Sequence, residues 1–121
     1  MNWYKKAQPE FTTDPQFFDE NKETTVVVDV QKMDAALARD PYFYIKRDGS
    51  NSDNPEKYNK FKNFLQTGKP IHMPRASIAE DGEVGLLDGR HRWAYLRDQG
   101  VKKMPIVVKK NQEELFKKLF S

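Results

Sequence analysis

The sequence predicts a single compact α+β domain in which a small mixed sheet is flanked by helices and closed by a C-terminal amphipathic helix. Three observations carry this expectation. Strand-like runs at 24–30, 71–79, 83–87 and 104–108 alternate with stretches of helical periodicity. Junctions built from Gly, Asp-Gly and Pro punctuate them. The chain of 121 residues, 37% hydrophobic and 12% aromatic, is long enough for one core and too short for two. The expected division is a loosely packed N-terminal arm, residues 1–22, and a domain spanning 23–121.

The arm mixes isolated aromatics (Trp3, Tyr4, Phe11, Phe17, Phe18) with Pro9 and Pro15 and has no clean periodicity. Thr24 to Val30 is β-branched and apolar, which predicts a strand buried on both faces where the valines run together. A short helix over 33–38 follows, ending before Pro41, because the residue preceding proline is pushed out of the helical region. Tyr42 to Ile45 reads as extended, and 46–54 concentrates turn-forming residues into a surface loop. Asn54-Pro55-Glu56 supplies a cap and an N1 proline for a helix whose apolar face is Tyr58, Phe61, Phe64 and Leu65, closed by Gly68.

Ile71–Ala79 and Glu83–Leu87 read as two strands joined by an Asp81-Gly82 hairpin. Asp88-Gly89 then ends a strand, Arg90 to Gln99 has helical composition, Gly100 is the natural stop, and Met104 to Val108 resumes a strand, giving a βαβ-like unit. Asn111 with Glu114 makes a capping-box pattern ahead of Leu115, Phe116, Leu119 and Phe120, the closing amphipathic helix.

Composition excludes several classes of chemistry. With no cysteine there are no disulfides, thiolate nucleophiles or Cys-based metal centres, so any reaction uses His, carboxylates, Lys or Arg. No metal site is expected from the protein's own side chains. Lys and Arg number 21 against 18 Asp and Glu, and the net +3 is too small to indicate nucleic acid by itself. No run approaches the roughly 18 apolar residues of a membrane span, so a soluble, cytoplasmic protein without membrane contact is the expectation.

The junction from Asp88 to Arg92 carries the chemistry. First-turn backbone N–H groups of a helix have no intrahelical partner and lie at the positive end of the helix dipole, which makes such a turn an anion site. Gly89 lets a ligand approach the backbone, and Arg90, His91 and Arg92 crowd the first turn. Cations there oppose the dipole by roughly 0.3–1 kcal/mol each, and a bound polyphosphate, gripped by bidentate Arg, would reverse that penalty. Plainer readings stand beside these: Asp88 as an N-cap, Arg90 as a solvated charge, His91 as a structural histidine bonded to a carbonyl. His72 and Arg75 sit on the neighbouring strand and either can reach the ligand or be ordinary surface. Alternation puts His72 and Pro74 on one face and Met73 and Arg75 on the other. Trp93 fits the core or a base-stacking role, and the Lys102-Lys103, Lys109-Lys110 and Lys117-Lys118 pairs fit solvated faces or a diffuse basic surface.

The run from Leu87 through Asp88-Gly89-Arg90-His91-Arg92-Trp93 and Gly100 to Met104-Pro105-Ile106-Val107-Val108 resembles the ParB/sulfiredoxin superfamily box: strand, Asp-Gly-x-His-Arg-like turn, helix, glycine, Ile-Pro-Val-like strand. Upstream, the helix over 57–65 and Thr67 to Ile71 follow the same order of elements, so about half the chain is covered. The resemblance implies that Asp88, Gly89, Arg90, His91 and Arg92 form a turn holding nucleotide phosphates, with ATP or another NTP and Mg2+ as cofactor. Members include sulfiredoxins, CTP-hydrolysing partitioning proteins, small-molecule kinases and nucleases. Sulfiredoxins need cysteine where Arg90 stands, and partitioning proteins continue into DNA-reading and dimerisation regions that this chain does not contain. For the first-strand acid of the kinase branch, Asp29 and Asp34 are the candidates.

Three functions compete. The first is a nucleotide-dependent hydrolase or phosphotransferase with Asp88 and His91 as catalytic candidates and Gly89, Arg90, His91, Arg92, Arg75 and His72 as phosphate and nucleotide contacts. The second is a non-catalytic module for nucleotide or nucleic acid, or a nuclease of the ParB-like type. The third is an adaptor docking through the aromatic arm.

Overall fold

The computed structural model describes residues 10–50, 52 and 54–121. They form a mixed α+β fold with four α-helices and two small sheets. In chain order the elements are β1 (Phe11–Thr12), β2 (Glu23–Asp29), α1 (Val30–Leu37), α2 (Pro55–Gln66), β3 (Ile71–His72), β4 (Arg75–Ile78), β5 (Val84–Asp88), α3 (Arg90–Asp98), β6 (Lys103–Lys109) and α4 (Glu113–Phe120). No helix among the described residues is long and apolar enough to cross a membrane.

The main sheet has the order β2-β6-β4-β5. β2 runs antiparallel to β6 along its whole length, from Glu23 opposite Lys109 to Asp29 opposite Lys103. Burial along β2 alternates: Val26 and Val28 are in the core, while Val27 between them is 56% exposed. The expectation of burial on both faces is therefore corrected, since only one face of this edge strand is covered, with α4 against it. Val30, expected to end the strand, is the first residue of α1, because the Asp29 carboxylate accepts from the Lys32 N–H at 3.0 Å and caps the helix.

The extended run 71–79 splits between two sheets. β3 pairs in parallel with β1, and after Met73 and Pro74 the chain enters β4 of the main sheet. Pro74 has no N–H to donate, and its carbonyl accepts from Val107 N at 2.9 Å. The face alternation expected from His72 through Arg75 is broken at this point. The β4–β5 hairpin closes through Ala79 to Glu83, with Gly82 left-handed at φ 86°.

β5, α3 and β6 do not form a simple parallel βαβ unit. β4 is the strand parallel to β6, and β5 is antiparallel to β4, so the crossover between the parallel partners contains both β5 and α3. Helix α3 ends in a Schellman closure: Val101 N bonds Leu96 O at 3.1 Å and Gly100 N bonds Arg97 O at 2.9 Å, with Gly100 at φ 88°. α2 packs on α3 through Tyr58 and Phe61 against Tyr95, with ring centroids 5.1 and 5.8 Å apart.

Two expected caps are replaced by other contacts. Asn54 occupies the N-cap position of α2 without a side-chain cap bond. The Asn111–Glu114 capping box does not form; a 3-10 turn at Lys110–Gln112 precedes α4. Gln112 there bonds both backbone groups of Ile78, accepting its N–H at 3.0 Å and donating to its carbonyl at 2.7 Å. On α4, Phe116 and Phe120 enter the core, whereas Leu115 and Leu119 stay half-exposed. From the expected arm, residues 1–9 lie outside the described set; Glu10 and Thr12 carbonyls accept from Ile71 and Met73.

Candidate functional site

The strand-to-helix turn begins at a bulge. Arg75 of β4 faces Asp88, but Ala76 faces Leu86, so Leu87 is the extra residue and stands 67% exposed. The chain then turns through Gly89 at φ 81°, ψ 24°, which occupies the N-cap position of α3. A Cβ here would lie 2.8 Å from Arg92 Nη2 and 3.1 Å from the Pro74 Cα, so both the backbone angle and the space demand glycine. The first α-helical bond runs from Trp93 N to Gly89 O at 2.8 Å. The turn is therefore bounded by first-turn amides at the positive end of the dipole.

Asp88 is not the N-cap. Its carboxylate accepts from Arg92 Nη2 at 3.1 Å, and Arg92 Nη1 donates to the His72 carbonyl at 3.1 Å. Arg92 is thus folded back as a brace between β5 and the end of β3. Arg90 lies over the Phe43 ring at 5.7 Å and donates to the Phe43 carbonyl at 3.3 Å. His91 Nε2 is 2.7 Å from the Ser52 hydroxyl, which also accepts from Asn54 N at 3.0 Å.

A groove of about 340 Å3 opens at this turn, between α3 and α2. Asp88, Gly89, Arg90, His91 and Arg92 line one side, and Lys57 and Lys60 with Phe61 and Phe64 line the other. Around Arg92 it meets a second recess bounded by His72 and Lys69. The two α2 lysines were not among the residues singled out from the sequence. The legible signal was their spacing: Lys57 and Lys60 are three apart and flank the buried stripe of Tyr58, Phe61 and Leu65 on the same helix. Whether that flank meets another site depends on where α3 lies.

The structure brings Asp88, Gly89, Arg90, His91 and Arg92 together, and sets His72 beside them with its ring 3.7 Å from Asp14. Arg75 is not brought there. Its guanidinium pairs with Glu23 and donates to the Phe17 carbonyl at 2.9 Å, in a different recess lined by Lys22, Lys109 and Lys110. Burial pushes the Glu23 carboxyl up, but hydrogen bonds from the Asp19 N–H and Arg75 outweigh it and hold the group below its ordinary value.

Asp29 and Asp34, the candidate first-strand acids, are structural and sit near the opposite end of α3. Asp29 caps α1. Asp34 accepts from the Tyr44 hydroxyl at 2.6 Å, the Trp93 indole at 3.0 Å and Arg97 Nη1 at 3.2 Å. Trp93 is 2% exposed and belongs to the core. Asp98 extends the network, accepting from Arg97 Nε at 2.9 Å, Tyr58 OH at 2.6 Å and the Asp48 N–H at 2.9 Å. Burial first, then the Asp98 carboxylate, raise the Tyr58 phenol well above its ordinary value, so it stays a donor.

Among the described residues no group of three or more acidic or histidine side chains is placed to hold a metal ion. Among the described residues, Asp88 is the carboxylate lining the groove, beside Lys57, Lys60, Arg90 and Arg92.

No protein-family model matches the chain, and no curated protein matches it. A solved structure does: the Oncogenic Suppression Activity Protein, described as a plasmid fertility inhibition factor, in a gold(I) cyanide derivative. The similarity has a TM-score of 0.61 at 15% sequence identity and covers 82% of this chain and 57% of that one. At this identity the likeness is one of fold, and the chain is a distant structural relative of that plasmid fertility inhibition factor, spanning a little over half of its length.

Proposed function

We propose that the groove at the start of α3 binds the phosphates of a nucleotide, and that the chain is a ParB/sulfiredoxin-like nucleotide-binding protein. The observation that carries this is convergence: Lys57 and Lys60 from α2 face the same groove as Arg90, His91 and Arg92 behind a left-handed glycine. A trianionic or tetra-anionic chain of phosphates would bring negative charge to a lining that is mainly cationic and to the positive end of the α3 dipole. Mg2+ would come with the phosphates, with Asp88 as the protein carboxylate near enough to share it. In turnover, Asp88 and His91 are the groups that would orient a water or an acceptor hydroxyl, and the cations would stabilise charge on the transferred phosphoryl.

Calorimetric titration with ATP, ADP, CTP and GTP plus Mg2+ tests this. Saturable binding is expected, weakened about 10- to 100-fold in a Lys57→Ala, Lys60→Ala double variant, the equivalent of one charge-assisted hydrogen bond. The Arg90→Ala, Arg92→Ala pair should do the same. The lysine pair is the cleaner probe because Arg92 also braces β3 and β5. Absence of heat with every nucleotide would refute the reading.

A second reading, a single-stranded nucleic-acid backbone in the same groove, is favoured by Tyr42 and Phe43. They are 88% and 63% exposed beside Arg90 and offer bases a stacking surface. Oligonucleotide binding that falls steeply with salt would select it.

A further inference from the structure

Beneath the segment that carries Phe43 and Ile45, α3 and β5 enclose a second, smaller recess of about 90 Å3. Its wall is mainly apolar, with Leu37, Tyr44, Leu86, Trp93 and Ala94 contributing; Asp40, Arg90 and Arg97 are its charged groups, and Arg97 also borders a larger recess beside Asp29 and Asp98. Arg90 lines both this cavity and the basic groove, so one side chain separates the two.

Arg97 is the informative residue. Its Nε donates to Asp98, and its Nη1 donates to Asp34 and to the Ile45 carbonyl at 2.6 Å, with the guanidinium 5.3 Å from the Tyr44 ring centroid. Its Nη2 is buried and has no hydrogen-bond partner among the described residues. Buried donors are nearly always paired, so one without a protein partner calls for an occupant of the space beside it. Charge decides its class. Two carboxylates, Asp34 and Asp98, already face Arg97, and Asp40 on the cavity wall balances Arg90, so the surroundings are formally anionic and a further anion would be repelled. A carbonyl or hydroxyl oxygen accepts from Nη2 without that penalty.

We infer that this cavity is a binding site for a small neutral molecule, an amide, ketone or alcohol. Its oxygen accepts from Arg97, and its carbon part packs on Leu86, Trp93 and Ala94. A cavity of about 150 Å3 holds benzene, so this one holds on the order of four non-hydrogen atoms. The inference stands apart from the nucleotide reading, since none of its contacts involves phosphate.

Acetamide is the probe and acetate its charged counterpart of the same shape. Titrating the labelled protein with acetamide should move the Trp93 indole N–H and Leu86 methyl resonances saturably, with a Kd on the order of millimolar. Acetate should bind at least about tenfold weaker, because it brings a charge to already anionic surroundings. Ala94→Leu, which fills the cavity from α3, should abolish the response; Leu86→Phe, at a half-buried position, does so independently should the first variant not fold. Motionless resonances with acetamide, as for a cavity holding water alone, overturn the proposal. So does equal binding of acetate, or unchanged binding in a folded variant.

Discussion

The two ends of α3 put arginine to opposite uses. At the start, Arg90 lies on an exposed aromatic ring beside an open groove with Lys57, Lys60 and His91 around it. Two turns later, Arg97 is closed in by Asp34 and Asp98, and Tyr44, Tyr58 and Trp93 hydrogen-bond the same carboxylates. The first end gathers Arg90, Arg92, Lys57 and Lys60 around Asp88, which pairs with Arg92. The second end holds its cation between two carboxylates, joining α1, α2, α3 and the loop at Asp48 in one network. The lesson is that a charged side chain is read by what faces it from other elements, and the two ends differ in exactly that respect even though the helix between them is only nine residues long.

The comparison predicts unequal stability effects. Arg97→Ala should leave two partly buried carboxylates without their cation and cost about 3 kcal/mol in urea denaturation. Arg90→Ala should cost under about 1 kcal/mol. Equal losses at the two positions would erase the distinction.

The next effect sits at the turn itself. Gly89→Ala should lose about 1–2 kcal/mol from the left-handed backbone alone, and more from the Pro74 backbone 3.1 Å away. Gly82→Ala is the control, because Gly82 has a similar φ of 86° and open space around it. Thermal melts that rank the two variants equally would show that the crowding behind the α3 turn carries no energy.

The smallest effect concerns Arg75, which resembles Arg97 in being matched by an internal acid. Because the Glu23 carboxyl is held below its ordinary value of 4.5 in the fold, its contribution to stability is fully present above that pH. It is lost as pH falls through the lower folded value. Glu23→Gln should therefore flatten the acid limb of the stability profile below about pH 4.5, and an unchanged limb would show that the Arg75 pair is not what holds the group down.

Local patterns in the chain were sufficient for the elements that depend on neighbours in sequence. Pro55 at the start of α2, Gly100 after α3, the Asp81-Gly82 hairpin and the Asp88-to-Arg92 turn are all set by backbone sterics and short-range hydrogen bonds, and each stands where the residues place it. Caps were less legible. Asn54, Asn111 and Asp88 all have capping chemistry, yet their helices begin without a side-chain cap: before α4 Gln112 is held by Ile78 of β4, and at α3 Asp88 pairs with Arg92, which also reaches the His72 carbonyl at the end of β3.

The tertiary structure alone decided the membership of the groove. Arg75 and Asp88 are neighbours across β4 and β5, but Glu23 from a distant strand draws the arginine elsewhere. Lys57 and Lys60 enter instead, because the packing of Tyr58 and Phe61 on Tyr95 turns their side of α2 toward the start of α3. The sequence by itself determined that a glycine-led, cation-rich turn would open a helix, since φ preference and chain order are local. Which cations that turn would face was settled by long-range packing, where burying aromatic surface outweighs the placement of any single exposed charge.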